Sequence, residues 1–284
     1  MPQSRRDKPR LITDALLRGW PLPKLQGEGS KESRGRVLII AGANEMPGAA
    51  ILASTAALRA GAGKVRVATE QGVVRHVAAA VPELFVFELA DRNAVMKSAR
   101  KTDVVLIGSG MRDRDALREL LPALLAIDTL RALIIDAAAL PIIGGHQLHS
   151  RTILTPHRGE MCALLQITED ELARDPINCG CGFAKRSRAV LVMKGAETLI
   201  CAGDGAVFVN NRGNVGLATA GSGDVLAGIT AGLAARGAEP LHAAVWAVAV
   251  HARAGERLAK RVGPVGYLAR EILDEIPGLT SSLA

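Results

Sequence analysis

The sequence predicts an α/β fold in which a mostly parallel sheet carries helices on both faces. Short aliphatic runs alternate with helical patterns along most of the chain, as in repeated βαβ units. The runs "RVLIIAG" (36–42) and "DVVLIGSG" (103–110) are almost wholly apolar, which is typical of strands buried on both faces. With 284 residues, the chain is long enough to bury a sizeable core in one such domain.

The predicted elements follow one another from residue 35. Residues 1–34 are polar and interrupted by Pro and Gly, with one candidate helix in "LITDALLRGW" (11–20), and we expect them to pack on a single domain spanning 35–284. In "PGAAILASTAALRAGAG" (47–63), Pro47 suits the first turn of a helix and Gly61 its end. Further strands are predicted in "KVRVAT" (64–69), "ALIIDAAAL" (132–140), "TILTP" (152–156), "AVLVMKG" (189–195) and "TLICAG" (198–203). Further helical patterns lie at 114–126, 159–166, 223–236 and 241–261.

Composition and charge exclude several classes of function. The formal net charge of +7 favours anionic partners, which phosphorylated metabolites satisfy as well as nucleic acid does. Aromatic residues make up only 2% of the chain, so rings for base stacking are scarce and we expect no nucleic-acid partner. No apolar run has the length of a membrane span or the form of a signal peptide, which predicts a cytoplasmic protein without membrane contact.

The cysteines predict neither a disulfide framework nor a zinc site. The chain has four, at Cys162, Cys179, Cys181 and Cys201. The stretch "CGC" (179–181) lacks the paired C-x₂-C spacing of a structural zinc site. We interpret all four as buried or incidental thiols in a reducing compartment.

The segment "TAGSGD" (219–224) stands at the entry of a predicted helix and is typical of an anion site. Gly221 and Gly223 allow a ligand to approach the backbone, and the helix directs free N–H groups and its positive dipole outward. Asp224 is either a first-turn acid, which stabilises a helix by under about 1 kcal/mol, or a base on a substrate hydroxyl. We favour the base, because a helix-stabilising acid does not need a Gly-x-Gly before it.

Two further motifs follow predicted strands, where open parallel sheets bind their ligands. In "TPHRGEM" (155–161), His157 and Glu160 either bind a ligand or are a surface histidine and a first-turn acid. In "KGAET" (194–198), between two strands that are able to pair as a hairpin, Lys194 is either a phosphate contact or an ordinary turn lysine. Neither motif has metal-ligand spacing, so no metal ligand is assigned.

Two glycine-containing stretches are interpreted as structural. The stretch "AGAGK" (60–64) follows a predicted helix and precedes a predicted strand. A Walker loop instead follows a strand and precedes a helix, and its lysine is followed by Ser or Thr. Gly228 and Gly232 stand four residues apart in a predicted helix, and we expect them to pack closely against an alanine-rich neighbour.

Six motifs in order resemble those of the ADP/ATP-dependent NAD(P)H-hydrate dehydratases, a branch of the ribokinase-like superfamily. They are the opening segment from "LLRGWPLP" to "AGAGKV", then "IGSGM", "DAAAL", "LTPHRGEM", "VLVMKGAET" and "NVGLATAGSGDVLAGI". The likeness runs from about Ile12 to the last helix and implies a three-layer αβα sandwich. It also implies a metabolite-repair lyase that acts on the S epimer of NADH hydrate or NADPH hydrate. ADP or ATP, usually with Mg²⁺, phosphorylates the ring hydroxyl, and loss of phosphate then regenerates NAD(P)H.

The resemblance also implies site residues, position by position. Asp224 corresponds to the catalytic base and contacts the substrate. The positions that bind the hydrated dinucleotide are matched by Ala49, Gly110 and His157, together with Asp224. The positions that bind the adenine nucleotide are matched by Lys194, Gly195, Ala196, Glu197, Thr198, Gly221 and Gly223. The roles of Glu160 and Asp136 and the ligands of Mg²⁺ stay open.

The sequence departs from the family pattern at several positions. The family commonly has Gly where this chain has Ala220, Pro where it has Ser109 and Arg158, and often Asp where it has Ala138. The family motif "KGxxG" before the first strand reads "KESRG" here. The methyl group of Ala220 lies inside the glycine loop, where it either tightens or impairs nucleotide binding.

Two alternative functions stay open. A kinase of the same superfamily, acting on a vitamin-precursor alcohol of the hydroxymethylpyrimidine or hydroxyethylthiazole type, uses the same loop and base but releases a stable phosphorylated product. A non-catalytic nucleotide sensor keeps its ligand response when Asp224 is replaced by Asn. For the dehydratase, we expect a homo-oligomer and a separate NAD(P)H-hydrate epimerase as functional partner, and the residues do not choose between ADP and ATP or between NADH hydrate and NADPH hydrate.

Overall fold

The computed structural model describes residues 8–23 and 31–283, which form a ten-stranded open sheet. Its strands are β1 (Arg10–Leu11), β2 (Arg36–Ile40), β3 (Lys64–Thr69), β4 (Phe85–Glu88), β5 (Val104–Ile107), β6 (Ala132–Ile135), β7 (Thr152–Leu154), β8 (Val190–Met193), β9 (Thr198–Cys201) and β10 (Val207–Asn210). Their spatial order is β1-β10-β9-β8-β7-β6-β5-β2-β3-β4. Within the described residues only β9 runs against the other strands, so the predicted, mostly parallel sheet is confirmed.

Helices cover both faces of this sheet. They are α1 (Asp14–Gly19), α2 (Pro47–Arg59), α3 (Gln71–Ala80), α4 (Arg92–Ala99), α5 (Arg114–Leu125), α6 (Arg158–Leu165), α7 (Glu169–Arg174), α8 (Pro176–Ser187), α9 (Ser222–Ala235), α10 (Pro240–Arg261) and α11 (Ala269–Leu283), with 3₁₀ turns at Ala137–Ile143 and Val215–Leu217. None of the helices in the described ranges combines the length and the apolar character that a bilayer crossing requires.

The pleat of the strands divides the core between the two helical layers. Val37 and Ile39 of β2 pack in one apolar cluster with α2, α9, α10 and α11, whereas Leu38 and Ile40 pack in the other with α4, α5 and α6. Alternate residues of a strand point to opposite faces, so an apolar strand serves both layers at once. The three-layer αβα sandwich predicted from the sequence is therefore confirmed.

Several predicted strands end earlier than the apolar runs that identify them. The run at 103–110 stops being a strand at Ile107, because Gly108 has φ +118°. The run at 132–140 ends as a strand at Ile135 and continues as a 3₁₀ turn, with Ala137 in the left-handed region at φ +45°. In both cases the extended prediction was wrong, since the chain leaves the sheet to build the edge described below.

The amino-terminal segment contributes more to the core than its polarity indicates. Residues 1–7 and 24–30 lie outside the described residues, and the division into 1–34 and 35–284 stays a prediction. Within 8–23, the predicted short helix is confirmed as α1, and β1 adds a strand to the sheet edge beside β10. Leu17 is fully buried, and Asp14 accepts a hydrogen bond from Arg253 of α10, which fixes α1 on the helical layer.

Candidate active site

Four neighbouring strands bring polar side chains to one edge of the sheet. Because β5, β6, β7 and β8 are adjacent and parallel, the residues that follow them meet at their carboxyl ends. Those residues are Ser109, Asp136, Thr155 and Lys194. Lys194 extends the pairing of β8 with β7, because its N–H donates to the carbonyl oxygen of Pro156 at 2.8 Å.

Asp136 is the centre of this polar cluster. Its side chain is 2% exposed and accepts three hydrogen bonds. Thr155 Oγ1 donates to Oδ1 at 2.7 Å, Lys194 Nζ donates to the same oxygen at 3.2 Å, and Ser109 Oγ donates to Oδ2 at 3.0 Å. A carboxylate so deeply buried is tolerable only because these donors, one of them a cation, compensate the loss of water.

Glycines shape the loop that presents Ser109. Gly108 and Gly110 both have positive φ, at +118° and +63°, and a Cβ on Gly108 would lie 1.9 Å from the carbonyl oxygen of Asp136. The carbonyl of Ser109 accepts a hydrogen bond from the N–H of Gly42 at 2.9 Å, and the Ser109 side chain is completely buried. The position of the hydroxyl is therefore determined by backbone that side chains other than glycine would disturb.

The amino terminus of α9 reaches the same edge. Gly221 caps the helix with φ +88° and contributes no side chain, and a Cβ there would lie 2.4 Å from Leu52 Cδ1. A Cβ on Gly223 would meet Lys194 Nζ at 3.4 Å, so the ammonium group lies directly beside the first turn of the helix. A helix terminus next to a lysine combines a positive dipole with a full positive charge, which is the arrangement that binds phosphate.

Asp224 in this first turn has an unusual acidity. Its pKa is raised from 3.8 to about 6, mainly by burial and then by the negative charge of Asp136, while the positive charge of Lys194 and the polar hydroxyl of Ser109 oppose the rise. Two carboxylates with different surroundings thus share one site. Asp224 has the pKa of a group that exchanges a proton near neutral pH, as a general base requires.

A buried histidine of the neighbouring helix α10 forms hydrogen bonds with the same turn. His251 of α10 has Nε2 2.9 Å from Ser222 Oγ and 3.1 Å from the Ser222 carbonyl oxygen. Burial lowers its pKa to about 4, so the imidazole is neutral at physiological pH. His251 therefore adds a hydrogen bond, and no charge, to the turn that carries Asp224.

The predicted dinucleotide-binding residues lie in two groups. Ala49 in the first turn of α2 and Gly110 are in contact, since a Cβ on Gly110 would come within 2.4 Å of Ala49 Cβ. The structure thus brings these two positions together beside Ser109. His157 stands at the far side of the edge, after β7, and its side chain is 60% exposed.

His157 and Glu160 form a capping box at the start of α6. His157 Nδ1 accepts from the N–H of Glu160 at 3.2 Å, and Glu160 Oε2 accepts from the N–H of His157 at 2.8 Å. Glu160 is therefore a first-turn acid, one of the two alternatives left open by the sequence, and a ligand role for it stays untested. The predicted contact of His157 with the dinucleotide stays a prediction, and its Nε2 lies 3.5 Å from Glu160 Oε1.

A cavity of about 340 Å³ opens beside Lys194 and runs along the β8–β9 hairpin. Four of the predicted nucleotide-binding residues line it, namely Lys194, Gly195, Ala196 and Glu197. Thr198, the fifth, is the first residue of β9 and lies just outside the lining. The remaining walls are largely apolar, formed by Leu172, Ala173, Pro176, Ile177, Met193, Leu199 and Val209. An apolar slot with a cation at one end suits a nucleotide, whose base is flat and whose phosphates are charged.

Two of the departures from the family pattern have distinct environments. Arg158 lines the cavity, where its guanidinium adds a second cation near Lys194. Ala220 is exposed on the loop before Gly221, so its methyl group does not enter the packed interior.

No resident metal centre is built into this arrangement. Across the described residues 8–23 and 31–283, no three His, Cys, Asp or Glu side chains are placed to hold a metal ion. The implied Mg²⁺ does not fit a site made of protein ligands alone. An ion that arrives with nucleotide phosphates keeps most of its waters and needs no such site. The four cysteines are free thiols, as interpreted from the sequence.

Sequence reasoning missed three contributors to the site. Ser109 was noted only as a departure, and neither Thr155 nor His251 was singled out. The signal for Ser109 and Thr155 was available, because both stand at the carboxyl ends of predicted parallel strands, where ligands bind. His251 lies in the middle of α10, and no local sequence pattern indicates that it contacts Ser222.

Comparisons with known proteins agree with this geometry. A family model described as NAD(P)H-hydrate dehydratase matches residues 37–278. A protein of Xanthomonas campestris pv. campestris named "ADP-dependent (S)-NAD(P)H-hydrate dehydratase" is 43% identical, over 96% of this chain and 97% of that one. A "Bifunctional NAD(P)H-hydrate repair enzyme Nnr" of Moorella thermoacetica is 38% identical over 96% of this chain, which spans only 54% of that longer protein. The crystal structure of the Bacillus subtilis ADP/ATP-dependent NAD(P)H-hydrate dehydratase with ATP/Mg²⁺ matches with a TM-score of 0.86 at 28% identity, covering 97% of this chain and 99% of that one.

Proposed function

The chain belongs to the NAD(P)H-hydrate dehydratase family, and we propose that it returns the S epimer of NADH hydrate or NADPH hydrate to NAD(P)H at the expense of ADP or ATP. One observation carries the proposal. A half-buried carboxylate with a pKa of about 6, Asp224, lies at a glycine-rich helix terminus beside Lys194 and the nucleotide-sized cavity. That juxtaposition suits the transfer of a phosphoryl group to a hydroxyl.

The first step is phosphoryl transfer. Asp224 accepts the proton of the ring hydroxyl, and the hydroxyl oxygen attacks the terminal phosphorus of the nucleotide. The bond from that phosphorus to the bridging oxygen breaks, which releases AMP from ADP, or ADP from ATP. Lys194 and the N–H groups at the start of α9 stabilise the negative charge on the transferring group.

The second step is elimination. The carbon–oxygen bond of the phosphorylated ring breaks, inorganic phosphate leaves with both electrons of that bond, and the ring nitrogen supplies an electron pair. Loss of a proton from the adjacent ring carbon restores the double bond of NAD(P)H. Phosphate is a far better leaving group than hydroxide, and this explains why a dehydration consumes a nucleotide.

The proposal also assigns binding roles to the predicted residues. Ala49, Gly110 and His157 bind the hydrated dinucleotide, and the hairpin residues from Lys194 to Thr198 bind the adenine nucleotide with Gly221 and Gly223. Mg²⁺, when bound with the nucleotide, supplies charge neutralisation on its phosphates. A homo-oligomeric state, a cytoplasmic location and a separate epimerase as functional partner are further parts of the proposal.

The test follows the return of reduced-nicotinamide absorbance when purified protein is mixed with hydrated NADH, Mg²⁺ and either ADP or ATP. We expect the absorbance to return only when a nucleotide is present, with one phosphate released for each dinucleotide regenerated. The nucleotide that supports the faster return is the phosphate donor. Folded protein that gives no recovery with either nucleotide would contradict the proposal. A stable phosphorylated alcohol formed from a vitamin precursor would identify the kinase alternative instead.

A further inference from the structure

Two cysteine side chains lie against each other close to the cavity beside Lys194. Sγ of Cys181, on α8, is 3.7 Å from Sγ of Cys201, on β9. Both are free thiols, and Cys201 is completely buried whereas Cys181 is half-buried. The sulfurs of a disulfide bond are about 2.05 Å apart, so these two have to approach each other by about 1.7 Å to form one.

The packing of α8 on β9 brings the two thiols together. Gly180 stands directly before Cys181, and a Cβ on Gly180 would lie 3.0 Å from Cys201 Sγ. Because Gly180 has no side chain, the helix approaches the strand closely at this point. β9 pairs with β8 on one edge and with β10 on the other, so the sheet holds Cys201 in place. The element that moves when the sulfurs approach is therefore α8.

The same helix and strand contribute to the wall of the cavity. Ile177 of α8 and Leu199 of β9 both line it. Ile177 lies one helical turn before Cys181, and Leu199 lies two residues before Cys201, so each cysteine shares a face of its element with a cavity residue. All four side chains pack in the same apolar cluster. A bond between the sulfurs therefore draws α8 towards β9 next to the cavity.

We propose that Cys181 and Cys201 are a site of reversible oxidation, in which a hydroperoxide joins them by a disulfide bond that narrows the cavity and weakens nucleotide binding. The formation of the bond does not depend on the proposed function. The effect on the nucleotide rests on it, because the proposed function places ADP or ATP in this cavity.

The more accessible thiol reacts first. The Cys181 sulfur attacks one oxygen of the hydroperoxide, the O–O bond breaks, and a sulfenic acid forms while water or an alcohol is released. The Cys201 sulfur then attacks the Cys181 sulfur, and the S–O bond breaks. Hydroxide leaves with the electrons of that bond and takes the proton of the Cys201 thiol, which gives water. The two thiols thus lose two electrons in total, and the hydroperoxide gains them.

The buried position of Cys201 agrees with its place as the second thiol. Burial, and then the neighbouring Cys181, raise the pKa of Cys201. A thiol that stays protonated is a poor nucleophile towards peroxide, since the thiolate is the reactive form. Its reaction with an adjacent sulfenic acid needs no access from solvent, because the two sulfurs are already neighbours.

The first experiment treats the reduced wild-type protein with hydrogen peroxide and identifies its disulfides by tryptic digestion and mass spectrometry. We expect a peptide pair linked through Cys181 and Cys201, which dithiothreitol separates again. Cys181→Ser and Cys201→Ala should each abolish this link. A link between Cys162 and Cys179 instead, or no disulfide in the oxidised wild type, would overturn the proposal.

Cys179→Ser is the matched control. Cys179 lies two residues before Cys181 on the same helix and is also half-buried. No Lys or Arg stands between these two cysteines, so tryptic peptides of the wild type contain both. The variant leaves Cys181 as the single cysteine of its peptide, and we expect it to form the same link to Cys201. Loss of the link in this variant would contradict the assignment to Cys181.

Calorimetric titration with ADP and Mg²⁺ measures the consequence for the cavity. A narrower cavity crowds the ligand, so the Kd for ADP should be about tenfold higher in the oxidised wild type than in the reduced protein. Dithiothreitol should restore the Kd, which distinguishes the disulfide from oxidation of the cavity residue Met193, since methionine sulfoxide requires its own reductases. Cys181→Ser should show no such reversible change. An unchanged Kd in protein whose disulfide has been identified would overturn the effect on the nucleotide.

The two measurements separate this inference from the proposed function. If the reduced protein binds no ADP and turns over no hydrated NADH, the proposed function fails, and the effect on nucleotide binding fails with it. The peptide analysis still decides in that case whether Cys181 and Cys201 are a site of oxidation. If the reduced protein turns over hydrated NADH but peroxide forms no Cys181–Cys201 bond, the proposed function stands and the inference fails.

Discussion

Glycine serves different purposes in the body and at the amino terminus of helix α9. In the body of the helix, Gly228 and Gly232 pack against α2, where an added Cβ would lie 2.2 Å from the Ala53 carbonyl oxygen and 2.5 Å from that of Ala57. At the amino terminus, a Cβ on Gly223 would meet no atom nearer than Lys194 Nζ, at 3.4 Å. The body glycines thus allow contact between backbones, as the sequence predicts, whereas the terminal glycine leaves open space at the site.

This difference between the packed body and the open terminus of α9 indicates how the fold fixes the position of the Asp224 carboxylate. Close packing of α9 on α2 anchors the helix, and Asp224 stands on its first turn, directly above that anchor. The space in front of Gly223 remains available to a ligand. A rigid helix body with an open terminus gives the precision that a catalytic group needs and leaves room for the phosphate that the proposed function places there.

The largest expected effect is the loss of turnover caused by Asp224→Asn, at the amino terminus of α9. The substitution keeps the shape of the side chain but removes its basicity, so turnover of hydrated NADH should fall by about 10²- to 10⁴-fold. Steady-state rates with saturating nucleotide measure the loss. Circular dichroism and a melting curve serve as the control, and unchanged turnover in a folded variant would remove Asp224 from the mechanism.

Gly228→Ala tests the anchored body of the helix. The new methyl group meets backbone of α2 that is not free to move aside, and we expect the free energy of unfolding to fall by about 1–3 kcal/mol. Chemical denaturation measures this change. At a temperature where the variant is fully folded, the KM for nucleotide should stay close to the wild-type value; a stability equal to that of the wild type would show that the contact is loose.

Gly223→Ala makes the same substitution at the open end of the same helix and is therefore matched to Gly228→Ala. Here the methyl group enters the space beside Lys194, so we expect the KM for the nucleotide to rise about tenfold, or ~1.4 kcal/mol in binding. The free energy of unfolding should change by less than about 1 kcal/mol, because alanine is the better helix former. A large loss of stability with an unchanged KM would show that Gly223, like Gly228, serves packing and does not leave space for the nucleotide.

The smallest effect is the dependence of stability on pH. Because the pKa of Asp224 is raised from 3.8 to about 6, the folded protein binds more protons than the unfolded chain between those values, and this group makes the fold less stable as pH rises through that window. Asp224→Asn should therefore be more stable than the wild type by on the order of 1 kcal/mol at pH 7.5, with the difference vanishing near pH 3.5. Denaturation at both pH values measures it, and a variant less stable at pH 7.5 would contradict the burial of this charge.

The sequence was sufficient to predict the layers of the fold and the sheet edge at which the candidate site residues meet. The apolar runs at β2 and β5 identified a parallel sheet, and a parallel sheet gathers the residues that follow its strands. The glycines around Asp224 marked the amino terminus of a helix, and the structure places the start of α9 there. In each case a local pattern has a single physical consequence that is independent of distant residues.

Other features depend on contacts between distant parts of the chain. The early end of the strand after Ile135 follows from a left-handed Ala137, a conformation that its sequence does not favour. The hydrogen bond from Ser109 to Asp136 depends on the pairing of β5 with β6 in the sheet. The polar composition of residues 1–34 gave no sign that Leu17 would be fully buried.

The central claim is that the ring hydroxyl is phosphorylated and then leaves as part of the phosphate. Hydrated NADH prepared in ¹⁸O-water carries the label on that hydroxyl, and the phosphate released during turnover with unlabelled nucleotide is analysed by mass spectrometry. The account predicts one ¹⁸O atom in each released phosphate, and no labelled phosphate from Asp224→Asn beyond its residual rate. Unlabelled phosphate, with the ¹⁸O recovered in water, would show that the nucleotide is merely hydrolysed and would contradict the mechanism.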